Sequence, residues 1–439
     1  MSGAAPESYQ LAGGGELGGR LRVPGDKSIS HRALMLGALA EGQTRISGFL
    51  AGEDCLATAR ALEALGVPIR FPRPGEVEVC GVGAEGLRAA AAPLDLGNSG
   101  TGMRLLMGLL APRRLKATLI GDASLMRRPM ERVAGPLRSM GARIRTQDGR
   151  PPVELEGGEL HAISYTLPVA SAQVKSALLL AALGATGEMS LTEPAASRDH
   201  TERMLAAFGV TLEREALTIR MAGGQPLAAT AVAVPGDFSS AAFFLVAGCL
   251  AAREPLVLEN VGVNPTRTGL LEMLRLMGAD IRLTMRTAPV AHAEPVADIE
   301  VRAAPLRGIT VPEELVPLAI DEFPAFFIAA AAARGETLVR GAAELRVKES
   351  DRLAAMAAGL AVLGVEHRLL PDGLWLKGQG DFAGGVIDSL GDHRIAMAFA
   401  VASLRARAPL TVRDVANVAT SFPGFAALAR AAGLQIESR

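Results

Sequence analysis

Six copies of one pattern constrain the fold of this chain more than any other feature of its sequence. In each copy a polar turn leads into a strongly apolar segment of helical length, a short β-like segment follows, and a second, amphipathic helix comes next. A pattern that recurs along a chain indicates a repeated supersecondary unit. The apolar helices are predicted at residues 27–40, 98–111, 171–184, 239–252, 321–334 and 392–404, roughly 70 to 80 residues apart.

The second helix of each copy is predicted to end at a glycine. Glycine suits the left-handed position after a helix, and the aliphatic residue that follows it leads into the next strand. The six glycines are Gly66, Gly141, Gly209, Gly278, Gly364 and Gly433. The β-like segments after the first helices are residues 44–46, 117–120, 189–191, 256–258, 337–339 and 410–412.

The number of copies suggests how the chain divides. A chain of 439 residues is too long for one ordinary core, and six copies divide into two α/β domains of three, each with helices packed inside sheets. Nearly identical turns begin at Val23 and Val234 and mark where the chain passes between domains. We therefore expect one domain at 24–234 and the other at 1–23 plus 235–439. The two crossover strands near 23 and 235 would form a hinge beside a cleft, and a strand at residues 8–22 would complete the sixth copy.

Charge and hydropathy exclude several classes of partner. The net charge is −1, so no polybasic field favours nucleic acid or an anionic membrane. The longest apolar run, 241–252, is well short of a membrane-spanning length. The N-terminal segment does not have the pattern of a secretory signal. We therefore expect a cytoplasmic protein.

No metal site is expected. The cysteines are odd in number and unrelated in spacing, which argues against both a disulfide framework and a zinc site. They are Cys55, Cys80 and Cys249. Three histidines neighbour arginines in the turn segments without metal-ligand spacing, and we interpret them as structural: His31, His200 and His393.

The turn before the first apolar helix predicts an anion site. Residues 23–30 read V-P-G-D-K-S-I-S. Ser28 or Ser30 could cap the helix, whose free first-turn N–H groups and dipole favour an anion, and Lys27 and Arg32 add full positive charge there. In the second copy of this turn Phe238 replaces the lysine, so it is expected to be only structural.

Cations recur at or near the other helix starts. Any single one is as readily a solvated surface charge. Together they oppose the helix dipole unless an anionic ligand is bound, so we predict a substrate with several phosphate or carboxylate groups. The cations are Lys27, Arg32, Arg104, Arg127, Arg128, Lys175, Arg198, Arg267, Arg346, Lys348, Arg352 and Arg394.

Acids in the same segments could supply the chemistry. Asp321 begins the fifth apolar helix, and Glu349 lies among cations. An acid surrounded by cations stays ionised and can serve as a base. Asp321 could equally be an ordinary helix N-cap. Lys348 and Arg352 are four residues apart, so we expect them on one helical face.

Five stretches, in this order, resemble motifs of the EPSP synthase family along essentially the whole chain: residues 25–32, 96–101, 171–175, 346–352 and 392–394. The resemblance implies a two-domain inside-out α/β barrel, each domain built from three βαβαββ repeats with pseudo-threefold symmetry. It also implies transfer of the enolpyruvyl group of phosphoenolpyruvate to the 5-hydroxyl of shikimate 3-phosphate, with release of phosphate. This reaction belongs to the shikimate pathway of aromatic amino acid biosynthesis and needs no cofactor. Both substrates are phosphorylated carboxylates.

The resemblance also implies residue roles. Shikimate 3-phosphate would be bound by Lys27, Ser28, Arg32, Ser171, Ala172, Gln173, Arg198, Asp321 and Lys348. Phosphoenolpyruvate would be bound by Lys27, Gly100, Arg128, Gln173, Arg352 and Arg394. Asp321 would take the proton of the attacking hydroxyl, and Glu349 with Lys27 would transfer the proton at the phosphoenolpyruvate methylene.

Some residues depart from the better-known members of the family. Many members carry a lysine near the stretch that corresponds to residues 420–423, and this chain lacks a lysine near Thr420, so one phosphoenolpyruvate contact is missing or replaced. Residues 171–175, 198–202 and 264–267 resemble the class II, often glyphosate-tolerant members, but Gly100 stands where some tolerant members have alanine. The sequence therefore leaves tolerance open.

Two other functions remain as alternatives. The related enolpyruvyl transferase that acts on UDP-N-acetylglucosamine shares the fold, but it usually has a mobile-loop cysteine, and an asparagine where Ser28 follows Lys27 here. A non-catalytic anion-binding repeat protein would not need Asp321 and Glu349 beside the cations. A monomer with small-molecule substrates only is expected.

Overall fold

The chain divides into two compact units. The computed structural model describes residues 7–287 and 293–439. The first unit contains Gly25–Val234 and the described residues of Ala288–Glu294. The second unit contains the described residues of Met1–Pro24, together with Pro235–Thr287 and Pro295–Arg439. Residues 1–6 of the expected second domain lie outside the described residues.

Each of the six copies contributes two α-helices in the described part of the chain. These helices are α1 (Lys27–Leu39), α2 (Glu53–Ala64), α3 (Gly100–Leu110), α4 (Glu131–Ser139), α5 (Ala172–Ala182), α6 (His200–Ala207), α7 (Phe238–Ala251), α8 (Gly269–Leu276), α9 (Phe323–Ala332), α10 (Arg352–Val362), α11 (His393–Ala402) and α12 (Phe425–Ala432). Short 3-10 helices lie at Leu125–Arg127, Glu313–Leu315, Pro317–Ala319, Ala343–Val347, Ser403–Arg405 and Ala416–Thr420. Within the described ranges, no helix has the length and apolar character needed to cross a membrane.

The strands surround these helices. They are β1 (Ser8–Leu11), β2 (Leu17–Leu21), β3 (Glu41–Ser47), β4 (Ile69–Arg73), β5 (Glu76–Val82), β6 (Leu94–Asp95), β7 (Lys116–Ile120), β8 (Arg143–Gln147), β9 (Arg150–Glu156), β10 (Leu160–His161), β11 (Ser164–Thr166), β12 (Ala185–Thr186), β13 (Glu188–Thr192), β14 (Glu213–Glu215), β15 (Thr218–Ala222), β16 (Ala231–Ala233), β17 (Ala252–Gly262), β18 (Asp280–Met285), β19 (Val296–Arg302), β20 (Arg334–Val339), β21 (Glu366–Leu370), β22 (Gly373–Gln379), β23 (Gly385–Asp388), β24 (Leu410–Arg413) and β25 (Ile436–Ser438).

In the described part of the chain, six larger sheets repeat one topology. Each of them contains antiparallel strands, and in five of them an edge strand that precedes an inner helix pairs in parallel. In the first unit the orders are β16-β3-β5-β4, β6-β7-β9-β8 and β11-β13-β15-β14, with a small β10-β12 pair beside them. In the second unit they are β18-β19-β17-β2, β20-β22-β21 and β23-β24-β1-β25. The sheets confirm the two-domain α/β fold.

The first helix of each copy lies inside its unit. Every residue of α11 is buried, and in α9 only the last residue is not. Apart from His393 and Arg394 at the start of α11, these helices are apolar on all sides, as is typical of a helix enclosed by sheets and by other helices. The helices predicted at the six polar turns are therefore confirmed, with starts that shift by up to two residues.

The glycine stops are confirmed as well. Gly66, Gly141, Gly209, Gly278, Gly364 and Gly433 follow the second helices with φ between 75° and 114°. Residues with a Cβ rarely adopt this left-handed region, so the glycine at each stop follows from backbone sterics.

The expected single strand at residues 8–22 is wrong. Two strands occur instead, and they lie in different sheets: β1 pairs antiparallel with β24 and β25, whereas β2 pairs parallel with β17. Gly14 and Gly15 between them have φ values of 81° and 138°, which end the first strand. Only β1 completes the sixth copy, and β2 completes the fourth.

Candidate active site

The start of α1 is capped by an aspartate. Asp26 is the N-cap, and its Oδ1 accepts a hydrogen bond from the Ile29 amide at 2.8 Å. The predicted caps Ser28 and Ser30 are wrong, because both lie inside the helix. The Ser30 hydroxyl accepts instead from the Leu50 amide at 3.1 Å. Aspartate one residue before the helix is well placed to bind the first-turn N–H groups.

Lys27 is the first residue of α1 and forms an ion pair with an acid of α2, Asp54. Its Nζ lies 3.0 Å from Oδ2 of Asp54, and the lysine side chain is 15 % exposed. Asp54 lies in the first turn of α2, a position where acids are common in any helix. No special signal in the sequence therefore marks this pair.

The start of α3 lies among arginines. A Cβ on Gly100 would lie 3.1 Å from Nη1 of Arg128 and 3.5 Å from Nη1 of Arg104. Arg104 donates to the side-chain oxygen of Gln173, whose amide nitrogen donates to Thr101 Oγ1 at 3.0 Å. Gly100 thus lies beside both arginines, and Arg104 bonds Gln173, so three predicted phosphoenolpyruvate ligands, Gly100, Arg128 and Gln173, lie around Arg104.

Arg32 is buried and hydrogen-bonded within the protein. Its Nε donates to Thr201 Oγ1 at 2.6 Å, its Nη2 to Ser176 Oγ at 2.7 Å and its Nη1 to the Ser28 carbonyl at 2.9 Å. Burial lowers the pKa of Arg32 to about 10, although Glu202 opposes this change. Arg32 is still a cation at neutral pH, and it connects α1 to α5 and α6.

The start of α5 presents the next predicted group. Ser171 is the N-cap, with its hydroxyl accepting from the Val174 amide at 3.5 Å, and Ala172 and Gln173 are the first helical residues. Arg198 is half-buried and lies in the loop between β13 and α6. These residues and Arg32 therefore occupy neighbouring elements of the third and first copies.

In the second unit Asp321 is surrounded by three cations. Its Oδ1 lies 3.2 Å from Nη1 of Arg352 and 3.6 Å from Nζ of Lys348, and its Oδ2 lies 3.9 Å from Nη2 of Arg394. Arg394 also donates to the Asp321 carbonyl at 2.9 Å. The alternative of a helix N-cap is wrong, because Glu322 occupies that position before α9.

Arg352 holds three acids. Its guanidinium donates to Glu349 Oε2 at 2.6 Å and to Asp392 Oδ2 at 2.8 Å, besides its contact with Asp321. Burial alone would lower the pKa of Arg352, but Asp392, Glu349 and Asp321 raise it above its ordinary value. The arginine is therefore a permanent cation that fixes both predicted catalytic acids.

The shared helical face predicted for Lys348 and Arg352 is wrong. Lys348 follows the 3-10 helix Ala343–Val347, and α10 begins only at Arg352. The two cations nevertheless meet at Asp321, because Asp351 caps α10 and turns the chain there. Their proximity comes from tertiary structure and not from helix periodicity.

Several other residues that the sequence predicts to be structural are bonded to or packed against the rest of the protein. His31 is buried, with Nδ1 2.8 Å from Thr58 Oγ1, and burial together with Lys27 and Arg32 lowers its pKa to about 3. Phe238 is buried in the core of the second unit. At the missing lysine, Thr420 donates its hydroxyl to the Asn417 carbonyl at 2.7 Å. Within residues 7–287 and 293–439, no group of three His, Cys, Asp or Glu side chains could hold a metal ion.

Comparisons with known proteins agree with this arrangement. The family model for EPSP synthase (3-phosphoshikimate 1-carboxyvinyltransferase) matches residues 11–428. The 3-phosphoshikimate 1-carboxyvinyltransferase of Alkalilimnicola ehrlichii is 59 % identical over 430 residues, covering 98 % of this chain and 96 % of that protein. That of Methylococcus capsulatus is 58 % identical over 427 residues, covering 97 % of each. A solved structure of EPSP synthase from Acinetobacter baumannii has a TM-score of 0.88 and 51 % identity, covering 99 % of this chain and all of that one.

Proposed function

The chain belongs to the EPSP synthase family, and we propose that the clusters described above carry out that family's reaction. The enzyme transfers the enolpyruvyl group of phosphoenolpyruvate to the 5-hydroxyl of shikimate 3-phosphate and releases phosphate. The assignment of residues rests on the surroundings of Asp321. Its carboxylate lies next to the cationic side chains of Lys348, Arg352 and Arg394. Such an acid remains ionised and can accept a proton beside bound anions.

Each substrate is assigned ligands on this basis. For shikimate 3-phosphate we propose Lys27, Ser28, Arg32, Ser171, Ala172, Gln173, Arg198, Asp321 and Lys348. For phosphoenolpyruvate we propose Lys27, Gly100, Arg128, Gln173, Arg352 and Arg394. The cationic side chains in both sets support binding of two phosphorylated carboxylates, since opposing anions repel unless cations lie between them.

The chemistry requires proton transfers in two steps. In the addition step Asp321 takes the proton of the 5-hydroxyl while the hydroxyl oxygen bonds to the enol carbon of phosphoenolpyruvate. The methylene carbon of phosphoenolpyruvate gains a proton and becomes a methyl group. In the elimination step the methyl carbon loses a proton, the carbon–oxygen bond to phosphate breaks and the enol double bond reforms. Glu349 and Lys27 are proposed to move the proton at this carbon. The family's reaction involves no cofactor.

Electrostatic stabilisation supports the same assignment. Positive character develops on the enol carbon during addition, so the carboxylates of Asp321 and Glu349 would stabilise it. Arg128, Arg352 and Arg394 would orient the anions and neutralise the departing phosphate. Arg352 already bonds both acids, so the acids are held in place before substrate binds.

A phosphate-release assay tests this function. The purified protein is mixed with phosphoenolpyruvate and either shikimate 3-phosphate or UDP-N-acetylglucosamine, and inorganic phosphate is measured over time. We expect phosphate release when the acceptor is shikimate 3-phosphate and none when it is UDP-N-acetylglucosamine. Release only with the nucleotide sugar would instead assign the related transferase, and no release with either acceptor would favour a non-catalytic anion-binding protein.

We further propose that the enzyme acts as a cytoplasmic monomer on these small molecules, without nucleic acid or membrane partners. Each unit has its own extensive hydrophobic core, which supports a fold that needs no second copy. Light scattering of the purified protein should give a mass near 45.5 kDa. A mass twice as large would contradict the monomer.

A further inference from the structure

Lys175 was expected among the anion-seeking cations at helix starts, but the structure buries it completely. Its Nζ lies 2.8 Å from Glu193 Oε2 and 2.7 Å from Glu202 Oε1, with side-chain exposures of 0 % for the lysine, 0 % for Glu193 and 5 % for Glu202. The ammonium also donates to the carbonyl oxygen of Ser197 at 3.3 Å. An ammonium has three N–H donors whereas a guanidinium has five, so three protein partners leave Lys175, unlike Arg32, no donor for a substrate.

The three partners of Lys175 belong to the segments around a proposed substrate ligand. Glu193 follows β13, Glu202 lies on α6, and Ser197 immediately precedes Arg198 in the loop between them. The Ser197 hydroxyl also donates to Glu193 Oε1. Ser197 is therefore held at both its side chain and its carbonyl, so the backbone position from which Arg198 projects depends on Lys175 and Glu193.

The same network reaches a second proposed ligand. Thr201, next to Glu202 on α6, accepts from Arg32 Nε at 2.6 Å and donates to Ser176 Oγ at 2.7 Å. Ser176 follows Lys175 on α5 and accepts from Arg32 as well. The charges of Lys175, Arg32, Glu193 and Glu202 sum to zero, which a buried group of ions needs.

We propose that Lys175 is a positioning residue for shikimate 3-phosphate, acting by fixing the Ser197–Arg198 backbone and, through Glu202 and α6, the guanidinium of Arg32. The proposal rests on the proposed assignment of Arg198 and Arg32 to that substrate. Lys175 touches no substrate atom. Its removal should weaken binding of shikimate 3-phosphate more than it slows the chemistry, because a small displacement of a binding group reduces affinity steeply.

The test must preserve the charge balance. Lys175→Met alone would leave two buried carboxylates without their cation, which destabilises proteins strongly. The double variant Lys175→Met/Glu193→Gln removes one charge of each sign, and the amide oxygen introduced by the second substitution can still accept from Ser197. The milder variant Ser197→Ala removes only the hydroxyl bond. Leu205→Ala, which removes core volume from α6 without touching these polar groups, serves as the matched control for lost stability.

The kinetic constants for both substrates are measured for each variant. The double variant should raise the KM for shikimate 3-phosphate about ten-fold while kcat stays within about three-fold, and Ser197→Ala should raise the KM by about three-fold. Leu205→Ala should lower the thermal midpoint with both KM values unchanged. Unchanged KM values in Ser197→Ala and in the folded double variant would overturn the proposal, as would an equal KM rise in Leu205→Ala.

A crystal structure of the double variant separates this proposal from the proposed function. We expect residues 194–198 to be displaced while α5 and α6 keep their positions, and this result does not depend on turnover. A loop that keeps its wild-type position would overturn the role of Lys175. A wild-type enzyme without phosphate release would count against the proposed reaction instead.

Discussion

Asp321 is the proposed general base, and three cations surround its carboxylate. Three cations lie within 4 Å of its carboxylate, so it is ionised and can accept a proton only from a group that approaches it directly. We predict that Asp321→Asn lowers kcat by roughly 10²- to 10⁴-fold, the contribution of a general base. Binding of shikimate 3-phosphate should persist, because the amide oxygen still accepts hydrogen bonds and all three cations remain. Steady-state kinetics and calorimetric binding check this.

The matched control for that variant is Asp280→Asn, which removes an exposed acid from β18 in the same unit. Its kcat should equal that of the wild type. A turnover of Asp321→Asn within about three-fold of the control would exclude Asp321 as the base, since such a small change is below the contribution expected of one.

A methyl group at position 100 would crowd Arg128. A Cβ there would lie 3.1 Å from Nη1 of Arg128, closer than an ordinary contact, so the arginine would have to move. We predict that Gly100→Ala raises the KM for phosphoenolpyruvate several-fold, with a smaller effect on shikimate 3-phosphate. Gly135→Ala is the control, because nothing lies within 4 Å of its Cβ position. Equal KM values for the two variants would remove Gly100 from the phosphoenolpyruvate site.

His31 should make stability depend on pH. Burial, with Lys27 and Arg32 nearby, lowers its pKa from 6.5 to about 3, so the folded protein keeps it neutral where the unfolded chain binds a proton. This stabilisation is present above pH 6.5 and is lost as the pH falls toward 3. Its loss between pH 6.5 and 5 is about 2 kcal/mol.

His31→Asn removes that titration and keeps a neutral side chain that can bond Thr58 and Ser99. We expect the urea midpoint of the wild type to fall more between pH 7 and pH 5 than that of the variant. The difference between the two proteins should change little between pH 7 and pH 8, because the histidine is mostly neutral there in both the folded and the unfolded chain. Parallel midpoints down to pH 5 would contradict the buried neutral histidine.

The surroundings of the candidate residues could be predicted unevenly from the sequence. Lys27 and Arg32 could be located at the start of α1, where a cation opposes the helix dipole, because this is a local property. The burial of Lys175 was not visible, because its partners Glu193 and Glu202 are set by how β13 and α6 pack against α5. The pairing of Asp54 with Lys27 depends on packing in the same way.

At the scale of elements, the glycines that end the second helices are the feature that the sequence predicts best. Gly364 has φ of 75° and nothing within 4 Å of its Cβ position, so a substitution tests backbone strain without a steric clash. We predict that Gly364→Ala lowers the unfolding free energy by about 1 kcal/mol, and that Gly364→Asn lowers it less, because asparagine tolerates this conformation. Urea unfolding measures both, and a Gly364→Ala protein as stable as the wild type would contradict the strain.

Helix starts were predicted less well than helix ends. The N-cap of α1 is Asp26 and not Ser28 or Ser30. All three side chains can bond first-turn amides, but only the residue that precedes the helix does so. Lys348 and Arg352 meet outside a helix because Asp351 caps α10 between them. Glycine is the residue type that best suits the left-handed position after a helix, so a helix end can be located from one residue. A helix start has several polar residues nearby that could each be the N-cap, so its position is harder to predict.

At the scale of the molecule, each unit closes on itself. In the first unit β16, its last strand, pairs in parallel with β3, its first, with Val232 opposite Ile46. The three four-stranded sheets and the buried helices α1, α3 and α5 are all contained in residues 25–234. Each copy leaves an apolar helix that only neighbouring copies can cover, so the six-copy pattern predicts the inner position of these helices.

A fragment of residues 25–234 should therefore fold alone. We predict a cooperative urea transition by far-UV circular dichroism and no phosphate release, because the fragment lacks Asp321 and Glu349. His200 loses its partner Glu294, which lies 2.6 Å away in the intact chain, so the fragment should be less stable than the unit in place. The matched control ends at residue 230 and lacks β16, which leaves the edge of β3 unpaired and uncovers the adjoining core. Its transition should be broad or absent, and equal cooperativity in the two fragments would show that closure by β16 does not hold the first unit together.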